Sequence, residues 1–101
     1  MTGNDVLKAM NIATDDNSFR AIVNRMADLY EKKNNDYGNA FDESLDEEGI
    51  VAARVRIGDK FRRFKALTSN KKQLIKNESI DDTLLDMACY CVMTYMWRHK
   101  E

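Results

Sequence analysis

The stretch from Glu78 to Trp97 constrains the fold most, because it is apolar at almost every position yet carries Asp82 and Asp86 four residues apart. At helical spacing Ile80, Leu84, Met87, Cys91 and Tyr95 form one stripe, and Leu85, Ala88, Val92 and Met96 widen it nearly all round. Such a helix belongs at the centre of a bundle or in an interface between copies of the chain. Ser79 is its N-cap candidate, with Asp82 three residues on as in a capping box. The same periodicity sets both aspartates on one face. Carboxylates beside a core need a metal ion, a ligand, basic residues from another helix, or water.

The remaining chain supplies further helices. It has no proline and four glycines, which favours long uninterrupted elements. Phe19, Ile22, Val23, Met26, Leu29 and Tyr30 predict a helix capped by Asn17 or Ser18 and ending near Lys33 to Asn35. Ile50, Ala53, Ile57, Phe61, Phe64 and Leu67 predict another from about Ile50 to Leu67. Gly58 weakens its middle by roughly 1 kcal/mol relative to alanine and marks a close helix crossing or a ligand approach.

Gly3 to Asn11 reads as a short helix within a peripheral arm, 1–16. Residues 36–49 read as an acidic functional loop, and 68–77 as a polar connector that Leu74 and Ile75 can anchor. Strand-like alternation and internal repeats are absent. The expectation is an all-α fold, a small bundle of three or four helices in one domain spanning 1–101. A chain of this length has much surface for its core, so a homo-oligomer, dimer or larger, is expected to complete it.

Charge and residue chemistry narrow the function. Lys+Arg number 16 and Asp+Glu 17, for a formal net charge of -1, so there is no global attraction to nucleic acid or anionic membrane. Direct DNA or RNA binding is not expected, and any anion site must be local. Cys89 and Cys91 diverge on a helix, which excludes a mutual disulfide or a chelating pair, and both read as core packing in a reducing compartment. No apolar run has the length of a membrane span and the amino terminus lacks a signal-peptide pattern, so a cytoplasmic protein without a membrane partner is expected. The single histidine, His99, lies in a charged terminal run, with no Cys/His cluster and no Gly-rich phosphate loop. A histidine-based zinc site and a serine triad are thereby excluded.

Three constellations remain. Glu78, Asp82 and Asp86 recur every four residues; Asp82 and Asp86 can present oxygens to Mg²⁺ with ligand phosphates completing its shell. First-turn acids also suit the helix macrodipole, which accounts for Asp82 structurally, whereas Asp86 lies beyond that turn and needs an ion pair, a metal or a ligand. Arg56, Lys60 and Arg63 fall on one line of the middle helix as a phosphate-binding row or a solvated face, with a direct Lys60 to Asp86 bridge as the plain structural solution. In the turn Asn34 to Gly38, Tyr37 can stack a nucleobase, Asp36 can accept from sugar or base, and Asn34 can read either edge; the same residues also make an ordinary helix end. Glu43 with Asp46 or Glu47 offers further oxygens if that segment is helical.

With these in view, the chain resembles the nucleotide modification associated domain 1 family. The likeness is carried by Tyr30 to Gly38 (YEKKNNDYG), Phe41 to Ser44 (FDES), Arg56 to Phe64 (RIGDKFRRF) and Glu78 to Tyr90 (ESIDDTLLDMACY). It implies a small all-α phage or prophage protein linked to nucleotide metabolism. Joined to the three constellations, this gives the expectation of a small-molecule nucleotide bound by Asn34, Asp36, Tyr37, Arg56, Lys60, Arg63, Asp82 and Asp86. More distantly the chain is similar to MazG-like and dimeric dUTPase-like all-α pyrophosphohydrolases, which hold Mg²⁺ with Glu-x-x-Glu on one helix and Glu-x-x-Asp on the next. Here Asp28 and Glu31 stand for the first pair and Asp82-x-x-x-Asp86 for the second. That departure bears on hydrolysis and leaves nucleotide binding untouched. The alternatives are a Mg²⁺-dependent phosphohydrolase, a non-catalytic protein that sequesters a nucleotide immune signal, and a helical interaction scaffold.

Overall fold

A computed structural model describes the backbone of residues 16–37, 39–69 and 77–100, and the side chains of 16–35, 39–69 and 80–100. The described residues form four helices and no strands: α1 (Phe19–Tyr37), α2 (Ala40–Glu48), α3 (Ile50–Ser69) and α4 (Asn77–Arg98). The all-α expectation holds. The short helix predicted over Gly3 to Asn11, and the anchoring of the connector by Leu74 and Ile75, lie outside the described residues. The chain divides into two compact units, Met1–Asp36 and Tyr37–Glu101.

In the first unit α1 starts as its sequence requires. Ser18 Oγ accepts from the Ala21 N–H at 3.3 Å, and Asp16 Oδ1 accepts from the Ser18 N–H at 2.8 Å. Arg25 reinforces this entry, donating to the Asp16 carbonyl at 2.8 Å and to Asn17 Oδ1 at 3.2 Å. Ile22, Met26 and Tyr30 are half-buried, whereas Phe19, Val23 and Leu29 are exposed. The helix continues past the expected end and takes in the backbone of Asp36 and Tyr37.

In the second unit the acidic segment expected as a loop is helical from Ala40 to Glu48. Two local features account for this. Phe41 and Leu45 lie one turn apart and give the segment an apolar anchor, and Asp42 and Glu43 sit in the first turn, where the helix dipole favours them. Gly49 ends α2: its N–H bonds to the Leu45 carbonyl at 2.7 Å, and its φ of 76° needs a residue without a side chain. The Gly49 carbonyl then accepts from Ala52 at 3.0 Å, and α3 begins at once.

The core here consists of Leu45, Ala52 and Ala53, with Phe41, Ile57 and Trp97 packed against it. The rings of Phe41 and Tyr90 meet edge to face at 4.9 Å. α3 and α4 pair most extensively. They run antiparallel, since Lys60 meets Asp86 and Arg63 meets Thr83. Among the described residues, the atoms nearest to a Cβ built at Gly58 are those of the Arg62 guanidinium, from 3.4 Å, and not those of another helix.

α4 is covered over part of its circumference. Its buried residues are Thr83 and Thr94, and Ile80, Leu85, Met87 and Ala88 of the expected stripe are half-buried, as are Asp86, Tyr90 and Trp97. Leu84, Cys91, Val92, Tyr95 and Met96 are exposed. The core reading therefore holds in part for Cys89, which is half-buried, and fails for Cys91. Threonine tolerates this because its hydroxyl can turn back on its own helix, as Thr94 does to the Tyr90 carbonyl at 2.7 Å.

Candidate functional site

Two polar constellations lie in the second unit. The first runs along the α3–α4 seam. Lys60 Nζ donates to Asp86 Oδ2 at 3.2 Å, with the side chains 29% and 34% exposed. Near it Arg63 Nε donates to Thr83 Oγ1 at 3.3 Å, and Thr83 is 2% exposed. The antiparallel pairing brings these together: a three-residue step along α3 matches a three-residue step back along α4. Each bond ties a long basic side chain to a short polar one near the helix interface.

At about a third exposed, the Lys60 and Asp86 heads are shielded enough for their bond to exceed a fully solvated pair and open enough for solutes to reach them. Arg56, one turn before Lys60, is exposed and continues the basic line. Asp82 is also exposed.

The second constellation links α2 to the end of α4. Trp97 Nε1 donates to Asp46 Oδ1 at 2.8 Å, and Lys100 Nζ pairs with Asp42 at 2.8 Å and Asp46 at 3.1 Å. Hydrogen bonds from Trp97 first and Lys100 second hold the Asp46 carboxyl below the ordinary aspartate value. Asp42, then Asp46, hold the Lys100 ammonium above the ordinary lysine value. The oxygens of Asp46, weighed on sequence as metal donors, are thus engaged by a cation and an indole.

Of the residues singled out from sequence, Lys60, Arg63 and Asp86 come together on one seam, with Arg56 and Asp82 exposed on the same two helices. Asn34 is half-buried on α1 in the first unit. The side chains of Asp36, Tyr37 and Glu78 lie outside the described residues, so their expected roles rest on sequence alone. Sequence reasoning missed Thr83, three residues before Asp86, which nothing in the sequence sets apart. It also missed Asp42, which shares with Asp46 the four-residue spacing that drew attention to Asp82 and Asp86. His99 is exposed, stacked on Tyr95 at 4.3 Å and hydrogen-bonded to the Tyr95 carbonyl at 2.8 Å.

Asp82 and Asp86 are the donors expected for Mg²⁺. Asp82 and Asp86 supply two carboxylates, one of them already answering Lys60, and among the described residues no group of three or more His, Cys, Asp or Glu converges. A hard cation takes about six oxygens, so in the expected arrangement ligand phosphates and water would supply the rest. Nor is any helix of the described residues long and apolar enough to cross a membrane.

Comparison with known protein families gives a match over most of the second unit. The profile of the family described as nucleotide modification associated domain 1 covers residues 33–97, which include α2, α3 and nearly all of α4. The chain belongs to that family. No curated protein and no solved structure matches it.

Proposed function

We propose that this member of the nucleotide modification associated domain 1 family binds a phosphorylated nucleotide along the α3–α4 seam. Lys60 and Arg63 take the phosphate oxygens, Arg56 extends the row, and Asp86 holds the Lys60 ammonium in position. The observation that carries this reading is the pair of neighbouring bonds Lys60–Asp86 and Arg63–Thr83. An ammonium has three donors and a guanidinium five, so each can keep its helix partner and still donate to a phosphate.

The energetics agree with exchange. A partly solvated ion pair contributes about 0 to 1 kcal/mol, so an arriving dianion can reorganise it at little cost. A charge-assisted bond to phosphate is stronger than a neutral one by roughly a factor of two. With Asp86 answered by a lysine instead of a second carboxylate, retention of an intact nucleotide is favoured over metal-assisted cleavage.

The test incubates purified protein with nucleoside mono-, di- and triphosphates and cyclic nucleotides, in Mg²⁺ and in EDTA, and measures bound ligand and products. The expected result is an intact nucleotide retained in EDTA, with affinity falling roughly tenfold or more in Lys60→Ala and in Arg63→Ala. Turnover that requires Mg²⁺ supports the phosphohydrolase instead. Absence of any bound nucleotide, or affinity indifferent to both substitutions, rejects the seam as the site.

A further inference from the structure

We propose that the exposed face of α4 is an interface between two copies of this chain, packed antiparallel about a two-fold axis between Ala88 and Cys91. The residues on that face are Asp81, Leu84, Ala88, Cys91, Tyr95 and Arg98, spaced by three, four, three, four and three. Alternation of three and four is the seam of two helices wound together. Asp81, Leu84, Cys91, Tyr95 and Arg98 are exposed and Ala88 is half-buried. Leu84 is 43% and Tyr95 65% exposed, unusual for side chains of this size on so apolar a helix.

The occupant follows from the symmetry of the pattern. The spacing reads the same in both directions, so an antiparallel second copy sets Leu84 against the partner's Tyr95 and Ala88 against the partner's Cys91. It also sets Asp81 against the partner's Arg98, and Arg98 against the partner's Asp81, which gives an ion pair at each end. A parallel copy would instead set Asp81 against the partner's Asp81. The small residues at the centre let the helix axes approach, and the large ones lie towards the ends. A two-fold interface must be complementary to itself, and this face is, in the order of its large and small residues and in charge.

Burial gives the reason for association. The buried apolar residues of the chain, among those described, are Leu45, Ala52, Ala53 and Leu67, two of them alanines. Val92 and Met96, 53% and 50% exposed, flank the seam and would be covered with it. The second copy thus removes from water the apolar surface that α2 and α3 leave uncovered.

The experiment is sedimentation velocity across roughly 1 to 200 µM, the range in which an interface of one helix pair is expected to associate. Wild type should dimerise, and Leu84→Glu should be monomeric throughout. Asp81→Arg and Arg98→Asp should each weaken dimerisation roughly tenfold by setting like charges at both ends, and the double reversal should restore it to within about threefold. The reversals lie on exposed positions, and circular dichroism of each variant shows that the fold is kept. A wild-type chain that stays monomeric, leaving the face to its own chain or to another protein, overturns the proposal. So does a dimer indifferent to Leu84→Glu, or a double reversal no better than the single ones.

Discussion

The indole of Trp97 donates to Asp46 across 51 residues of sequence, at 2.8 Å, and so fastens the end of α4 to α2. Together with Lys100 it lowers the Asp46 pKa from its ordinary 3.8, while Asp42 and Asp46 raise that of Lys100 from its ordinary 10.5. A depressed carboxyl contributes stability that is complete above its unfolded value and is lost as pH falls through the folded one. A raised ammonium contributes stability that is complete below its unfolded value and is lost as pH rises through the folded one. Stability should therefore decline below 3.8 and above 10.5, and Asp46→Asn should flatten the acid decline. Urea titrations at stepped pH, followed by the fluorescence of the single tryptophan, check this. An acid limb unchanged in Asp46→Asn would assign that limb to other carboxylates.

Leu45 is the one large side chain that is fully buried among the described residues, at 1% exposure. Its neighbours in the core are Ala52 and Ala53, which have no volume to give and cannot refill a cavity. Leu45→Ala should cost about 2 to 5 kcal/mol, towards the upper end if the site fails to collapse. The urea midpoint should fall with an unchanged slope. A loss under about 1 kcal/mol would mean that Phe41 and Trp97 close over the gap.

The helices were legible where a long apolar period repeats, as in Ser18 to Lys33 and Ile50 to Leu67. The helix Ala40–Glu48 was not, because acidic residues dominate it and only Phe41 and Leu45 mark its inner face. On α4 apolar residues run nearly all round, so their abundance did not single out the part that α3 covers. Periodicity finds the apolar stripe but not what covers it, and here α3 reaches Thr83 and Asp86. The seam itself could be anticipated in part: Lys60 and Asp86 were each evident as charges needing an answer, and their bond was foreseen as the structural solution. Thr83 was not, since a hydroxyl next to two aspartates carries no distinguishing signal.

Gly49 and Gly58 should respond oppositely to alanine. Gly49 has φ 76° and ψ -161°, a region essentially reserved for glycine, and nothing lies within 4 Å of a Cβ built there. Gly49→Ala should thus cost about 1 to 3 kcal/mol from the backbone alone. Gly58 lies inside α3 with the flexible Arg62 end as the nearest neighbour of a Cβ built there, so Gly58→Ala should stabilise by up to about 1 kcal/mol. Thermal unfolding of the two variants side by side gives the signs. A destabilising Gly58→Ala would reveal a packing requirement at that position.

Lys60 and Asp86 should be coupled energetically as well as geometrically. Their heads lie 3.2 Å apart but remain about a third exposed, so solvent screens much of the attraction. A double-mutant cycle with Lys60→Ala and Asp86→Ala should therefore return a coupling of about 0.5 to 1 kcal/mol, shrinking as salt is raised. The cycle matters because Asp86 has interactions beyond Lys60, which a single substitution would fold into its total. Repeated with saturating nucleotide, the cycle should give a different coupling if phosphate shares the Lys60 ammonium. Identical coupling with and without nucleotide would leave the pair a structural clasp and move phosphate binding to Arg56 and Arg63.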